Sequence, residues 1–299
     1  CRTERALSRE ARNKISLFCN VSSDMVVEAR TKRFLYEVPL ALEKEGVREA
    51  VSRRLSLKVA NKRNVQLEEI AERLRAPKNG SVTIGLVGKY VKLHDAYISV
   101  YEALTHGGIE NNVRLDIDYI SAENVDHEMD LAKYDGILIP GGFGERGVEG
   151  KIQMIKQARE VGIPFLGLCL GLQCAVIEYA RHVCKLEGAH STEFQKDAPH
   201  PVIDVIPDQR KIDKLGGTMR LGLYPAKLAK GSLVRSVYGS DLIYERHRHR
   251  YEVNNEYRKR LADSGLIFSG ISPDESLVET IELKGPPYFV ACQYHPEFL

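Results

Sequence analysis

The sequence predicts an α/β fold, a mostly parallel sheet with helices on both faces, preceded by a short, mainly helical segment. Three observations predict it. Apolar runs of strand length occur at Val82–Gly88 (VTIGLVG), Gly136–Pro140 (GILIP) and Pro164–Leu168 (PFLGL), and such runs suit strands buried on both sides. Stretches of helical character alternate with them: one through Tyr101 and Leu104, started by Asp95, then Gly150–Val161 and Leu170–Val183. Strands alternating with helices at this interval imply parallel pairing through crossovers. Beyond Glu193 the pattern turns strand-rich, with Pro201–Ile206, Leu277–Leu283 and Tyr288–Gln293.

The first 75 residues read differently. They are rich in charge, with amphipathic helical spacing at Arg9–Phe18, Val38–Leu42 and Val65–Leu74. Ala76-Pro77-Lys78-Asn79-Gly80 is a breaker cluster and marks a linker. The expected division is therefore residues 1–80 and residues 81–299. The chain begins at Cys1 rather than methionine and stops at Leu299, directly after a candidate catalytic motif, so both ends read as cuts in a longer protein.

Composition narrows the class. Of 299 residues, 43% are hydrophobic and 28% charged, as in ordinary globular proteins. A net charge of +2 and the lack of a basic stripe interleaved with aromatics argue against a nucleic-acid partner. The most apolar stretch, Ile163–Ile177, is short and broken by Pro164 and Gln173, so no membrane span is expected. The cysteines at 1, 19, 169, 174, 184 and 292 form no CxxC pair. That spacing suits neither a zinc site nor a disulfide framework and fits a reducing, cytoplasmic setting.

Three motifs carry chemistry. Gly167-Leu168-Cys169-Leu170-Gly171 falls between a predicted strand and a helix, which is the nucleophile-elbow arrangement with cysteine in place of serine. A thiol at a helix N-terminus is drawn toward thiolate by the helix dipole, and the Leu170 N–H is aimed at the same spot as an oxyanion donor. A buried structural cysteine on a glycine turn fits this motif equally well. Pro140-Gly141-Gly142-Phe143-Gly144 follows the GILI strand, where loops of a doubly wound sheet line the active crevice; Gly142 offers a second oxyanion donor. Gln293-Tyr294-His295-Pro296-Glu297 supplies a base, His295, and an acceptor, Glu297, that fixes its tautomer. Alone, the second and third motifs read better as ordinary turns, and the first is evenly balanced. Together, in this order and each at a predicted strand end, they point to acyl transfer through a thioester.

This order resembles that of the triad-type glutamine amidotransferases. Longer strings narrow the resemblance: VGKYVKLHDAYISVYEAL, PGGFGERGVEGKI, LGLCLGLQ, STEF, LGGTMRLG and ERHRHRYEVN. Together they are similar to the CTP synthase family over nearly the whole chain. The resemblance implies a Cys169, His295, Glu297 triad, and glutamine held by Gly142, Leu170, Gln173, Glu193 and Arg250. Arg250 suits the α-carboxylate through paired hydrogen bonds, and Glu193 suits the α-ammonium. Strand alternation would place Arg246, Arg248 and Arg250 on one face, able to line the pocket, and His247 and His249 on the other.

The resemblance implies further that Phe143 and the GGTMRLG segment meet GTP, an allosteric activator, and that residues 1–75 are the tail of a synthetase domain, with Lys14 near nucleotide phosphate. Lys14 is read equally well as a surface lysine. ARTKR stands at Thr31 where the family has an acidic residue, and no P-loop is present, since Gly85-Leu-Val-Gly88-Lys89-Tyr90 has the wrong spacing. No cofactor is thus expected in this part. ATP, Mg²⁺, UTP and CTP belong to the complete, tetrameric enzyme, where ammonia from glutamine aminates UTP. Rival readings are a peptidase or γ-glutamyl hydrolase of the same fold, an N-terminal-nucleophile enzyme using Cys1 (opposed by Arg2, where that class has glycine), and an inactive regulatory or assembly fragment.

Overall fold

The structure, a computed structural model, describes residues 1–58, 64–91, 93–126, 129–205, 219–285 and 287–298, without the side chain of His94. The chain forms two compact units, Cys1–Ser81 with His106–Arg114, and Val82–Thr105 with Leu115–Leu299.

The first unit is mainly helical. Strand β1 (Arg2–Thr3) pairs in parallel with β2 (Ala29–Arg30), and the unit also holds helices α1 (Arg9–Phe18), α2 (Glu37–Lys44), α3 (Val47–Leu55) and α4 (Val65–Arg75). Polar caps set the helix starts. The Ser8 side chain accepts the Ala11 N–H of α1, and Asn64 accepts the Leu67 N–H of α4, satisfying donors a helix start leaves free. Buried Glu28 joins Arg12 and Arg30 at 3.0 and 2.7 Å.

The second unit is built on a nine-stranded sheet. In chain order its elements are β3 (Ser81–Gly88), α5 (Ile98–Asn111), β4 (Arg114–Ser121), β5 (Gly136–Ile139), α6 (Val148–Val161), β6 (Phe165–Leu168), α7 (Leu170–His182), β7 (Ala189–Ser191), β8 (His200–Val205), β9 (Arg220–Leu228), α8 (Leu233–Tyr238), β10 (Leu242–His249), β11 (Tyr251–Val253), α9 (Asn255–Asp263), β12 (Ile267–Ile271), β13 (Val278–Glu282) and β14 (Phe289–Cys292). The sheet order is β10-β9-β12-β13-β14-β6-β5-β3-β4, and β11-β8-β7 form a separate small sheet. From β14 through β6 and β5 to β3 the pairing is parallel, while β13, β12, β9 and β10 extend the other side of β14 antiparallel.

Period-two alternation makes the parallel strands two-sided. Ile137, Ile139, Phe165, Phe289 and Ala291 point into one apolar cluster with α6 and α7. Leu138, Leu168, Val290 and Cys292 point into the other, with Val100 of α5 and Val234 of α8. Helices thus cover both faces, as the sequence predicts. Asp95 departs from expectation: it lies inside a single 3₁₀ turn, His94–Tyr97, and does not cap α5.

Two helical glycines test the packing. A Cβ on Gly150 of α6 would stand 1.7 Å from the Ala122 carbonyl oxygen, whereas one on Gly107 of α5 would meet nothing within 4 Å. Gly150→Ala should lower the thermal midpoint through overpacking of about 1–3 kcal/mol or more. Gly107→Ala should raise it, by about 0.8–1 kcal/mol of helix propensity. Thermal denaturation followed by circular dichroism checks both signs.

Candidate active site

The turn from β6 into α7 places Cys169. Its backbone sits at φ 52°, ψ −102°, a region that L-residues occupy only where the surroundings enforce it. The Cys169 N–H donates to the Cys292 carbonyl of β14 at 2.7 Å. The flanking glycines serve close packing: a Cβ on Gly167 would fall 2.8 Å from the Gly171 carbonyl carbon, and one on Gly171 only 2.4 Å from the Ile139 carbonyl oxygen of β5. The side chain is thereby held at the carboxyl end of the parallel strands, and Leu170 opens α7 beside it.

The chain leaving β14 brings His295 and Glu297 to the same place. The His295 N–H donates to the Arg246 carbonyl of β10 at 2.8 Å, and its Nδ1 lies 2.8 Å from Glu297 Oε1. Both side chains are largely buried. The His295 Cε1 stands 2.7 Å, and the Cys169 Cβ 3.5 Å, from the point a Gly141 Cβ would take, so a side chain there would occupy the space between thiol and imidazole. Burial alone would lower the His295 pKa. Its contacts with the Cys169 thiol and then the Glu297 carboxylate outweigh this and raise it to about 10. Cys174, five residues beyond Cys169 in α7, is pushed up to about 12 by burial and is an inert thiol.

Two cavities meet at Cys169. One, of about 250 Å³, is lined by Gly141, Gly142, Phe143, Arg248, His295 and Glu297, among others. The second, narrower one lies beside Gly142, Phe143, Gln173, Glu193, Arg250 and Tyr251. Of the residues expected to hold glutamine, Gly142, Gln173, Glu193 and Arg250 line this cavity with Cys169, and Leu170 follows Cys169 as the first residue of α7. Glu193 accepts the Gly144 N–H at 3.4 Å, and burial raises its carboxyl above the usual range.

The arginine face requires correction. Along β10 the alternation holds, with His247 and His249 buried and Arg246 and Arg248 outward. The ladder to β9 ends at the His249–Arg220 pair. The chain then bends, and Arg250 leaves the alternation to line the narrower cavity together with His249. Arg248 lies over the Phe143 ring at 5.8 Å instead. Behind the bend is a buried ionic group: Arg220 pairs with Glu279 at 2.6 Å and Glu252 at 3.3 Å, and His249 Nε2 reaches Glu252 at 2.6 Å. Burial raises Glu279 to about 7 and lowers His247 to about 2.

Several neighbours carry no role in the sequence reading. Gln293 donates toward the Cys169 sulfur at 3.7 Å and accepts from Gln173 at 3.3 Å; Gln173 also donates to the Tyr251 carbonyl at 3.0 Å. Lys89 donates to the Phe143 carbonyl. The signal available was position, since Gln293 stands two residues before His295 and Lys89 directly follows a strand end. Lys14, in the first unit, is exposed and pairs with Glu10 at 2.8 Å. Of LGGTMRLG, residues 215–218 lie outside the described residues, as does the preceding 208–214 stretch. Among the described residues no group of three or more His, Cys, Asp or Glu could hold a metal ion, and no helix is long and apolar enough to cross a membrane.

Comparison with known proteins places this site in a lineage. Residues 92–299 match the family model described as glutamine amidotransferase class-I, and residues 1–57 match CTP synthase N-terminus. A curated CTP synthase of Caldanaerobacter subterraneus is 55% identical over 301 residues, covering 100% of this chain and 56% of the relative. The chain belongs to the CTP synthase family. One from Clostridium acetobutylicum is 54% identical with the same coverage. Among solved structures, the glutaminase domain of Trypanosoma brucei CTPS with bound acivicin matches at TM-score 0.67 and 38% identity, covering 73% of this chain and 87% of that one. The chain thus spans little more than half the length of the curated CTP synthases it matches.

Two predictions follow from the local geometry. Cys169→Gly removes the side chain that disfavours φ 52° and should raise the thermal midpoint, by on the order of 1 kcal/mol. The His295 pair gives a pH dependence. The folded imidazole keeps its proton up to about 10, against 6.5 ordinarily. Its stabilising contribution is therefore complete below pH 6.5 and is lost as pH rises through 10. In Glu297→Gln that loss should begin at lower pH, read as urea midpoints across the alkaline range for both proteins. Identical profiles would remove the carboxylate as a cause.

Proposed function

We propose that residues 81–299 form a glutaminase domain that releases ammonia from glutamine, and that residues 1–80 are the end of a synthetase domain with its linker. The observation that carries the reading is the convergence of Cys169, His295 and Glu297 from adjacent strand ends beside one cavity, with Glu193 and Arg250 bordering the other.

The Cys169 thiolate attacks the side-chain amide carbon of glutamine. The N–H groups of Gly142 and Leu170 hold the oxyanion. His295, its tautomer fixed by Glu297, gives a proton to the departing nitrogen as the C–N bond breaks, leaving a thioester and ammonia. Water then attacks the thioester carbon, losing its proton to His295, and glutamate departs as the thiol re-forms. Arg250 grips the substrate α-carboxylate and Glu193 its ammonium, which selects a free amino acid over a peptide.

In the whole protein, of which this chain spans part of the length, the ammonia would displace phosphate from a UTP activated by ATP at its 4-oxygen, giving CTP. We assign ATP, Mg²⁺, UTP and CTP to the part that precedes this chain, and Lys14 to its edge near nucleotide phosphate. GTP as activator would act at Phe143, whose half-exposed ring carries Arg248 above it. A homotetramer is the proposed assembly. The cytoplasm is the proposed compartment, on cysteine usage alone: all six thiols are free.

Cys169→Ala should abolish glutamine hydrolysis and also labelling by a glutamine-mimic electrophile, located by peptide mass spectrometry. Cys174→Ala should retain both. Equal loss in the two variants would overturn the assignment of the nucleophile.

A further inference from the structure

Lys151, on the first turn of α6, is 1% exposed and is the only buried lysine among the described residues. Its amine stands 3.8 Å from the point a Cβ on Gly142 would take, directly behind the candidate oxyanion loop. No hydrogen bond to its side chain and no carboxylate within 4 Å is found among the described residues. Its electrostatic neighbours are the Cys174 and Cys169 thiols, and Lys89, another cation.

Such a placement is unfavourable in the resting fold. Removing a lysine charge from water without a partner is costly, and burial, the dominant influence, pulls the Lys151 pKa down; the two thiols act in the opposite direction. Methionine or leucine would fill the same space without that cost. Of the two thiols that could offset it, burial holds Cys174 neutral, which leaves an anion formed at the Cys169 sulfur or on the oxygen that faces Gly142. Interactions made only when charge develops accelerate a reaction, whereas those made equally with the substrate do not.

We propose that Lys151 is a positioning residue for the nucleophile and oxyanion loop, a buried cation whose counter-charge is the anion formed during acyl transfer. It acts through Cys169 and Gly142 and makes no contact with the substrate. The inference rests on the glutaminase reading above and adds to it a residue outside the triad.

The test is Lys151→Met beside Lys151→Arg, in the full chain. Lys151→Met should leave the thermal midpoint unchanged or higher, since a buried unpaired charge is removed. It should lower kcat for glutamine hydrolysis by about 10- to 100-fold with little change in KM, a smaller effect than loss of an oxyanion donor. Lys151→Arg, which keeps the charge, should recover part of kcat. Alkylation of Cys169 by iodoacetamide at neutral pH, which requires no glutamine, should slow in Lys151→Met alone. A lowered midpoint with unchanged alkylation would mean a packing role and overturn the proposal, as would unchanged kcat in a folded Lys151→Met protein. If the unaltered chain releases no ammonia from glutamine, the glutaminase reading fails by itself, and the alkylation rates still decide the position of Lys151.

Discussion

The site depends on one backbone contact, the hydrogen bond from the Cys169 N–H to the Cys292 carbonyl at 2.7 Å. It ties the strained corner after β6 to the last residue of β14. Everything that follows Cys292, including His295 and Glu297, is thereby delivered beside the thiol. The corner itself survives because its neighbours leave no alternative. Gly171 lies against the β5 backbone and Gly167 against Gly171, at separations no Cβ would tolerate. A few unfavourable degrees at one residue are over-determined by the packing of three strands.

Much of this was legible in the sequence because the parallel strands are buried on both faces. VTIGLVG, GILI and PFLGL carry their structural meaning in composition alone, and the motifs at their ends inherit positions from them. The antiparallel side was less legible. At its edge β9 and β10 leave alternate residues exposed, and they mix arginine, histidine and glutamate with apolar residues. The even-odd pattern of RHRHR correctly separates outward Arg246 and Arg248 from inward His247 and His249. It fails at Arg250 because alternation lasts only as long as the ladder, and the ladder stops at Arg220. Nothing local to the sequence announces that end.

The parts played by Gln293 and Tyr251 beside the expected Gln173 were hidden for a related reason. Gln293, Gln173 and Tyr251 form a chain of contacts over sequence separations of 120 and 78 residues, so their partnership exists only in three dimensions. Lys151 was hidden differently: EGKIQMIKQAR has ordinary amphipathic helical character, and nothing in the string tells a solvated lysine from a buried one. Such departures from local consistency concentrate where chemistry is done.

β14 is the seam between the two halves of the sheet, parallel to β6 on one side and antiparallel to β13 on the other. Thiol and imidazole therefore issue from adjoining rungs, and their separation is gauged by main-chain spacing, about 4.8 Å per strand, rather than by any side chain. The cavity walls to which we assign substrate choice, Glu193, Arg250 and Phe143, hang from loops outside that gauge. A lineage can rework those walls and change what is hydrolysed while the reacting pair stays in register, which suits the frame to diversification by loop exchange.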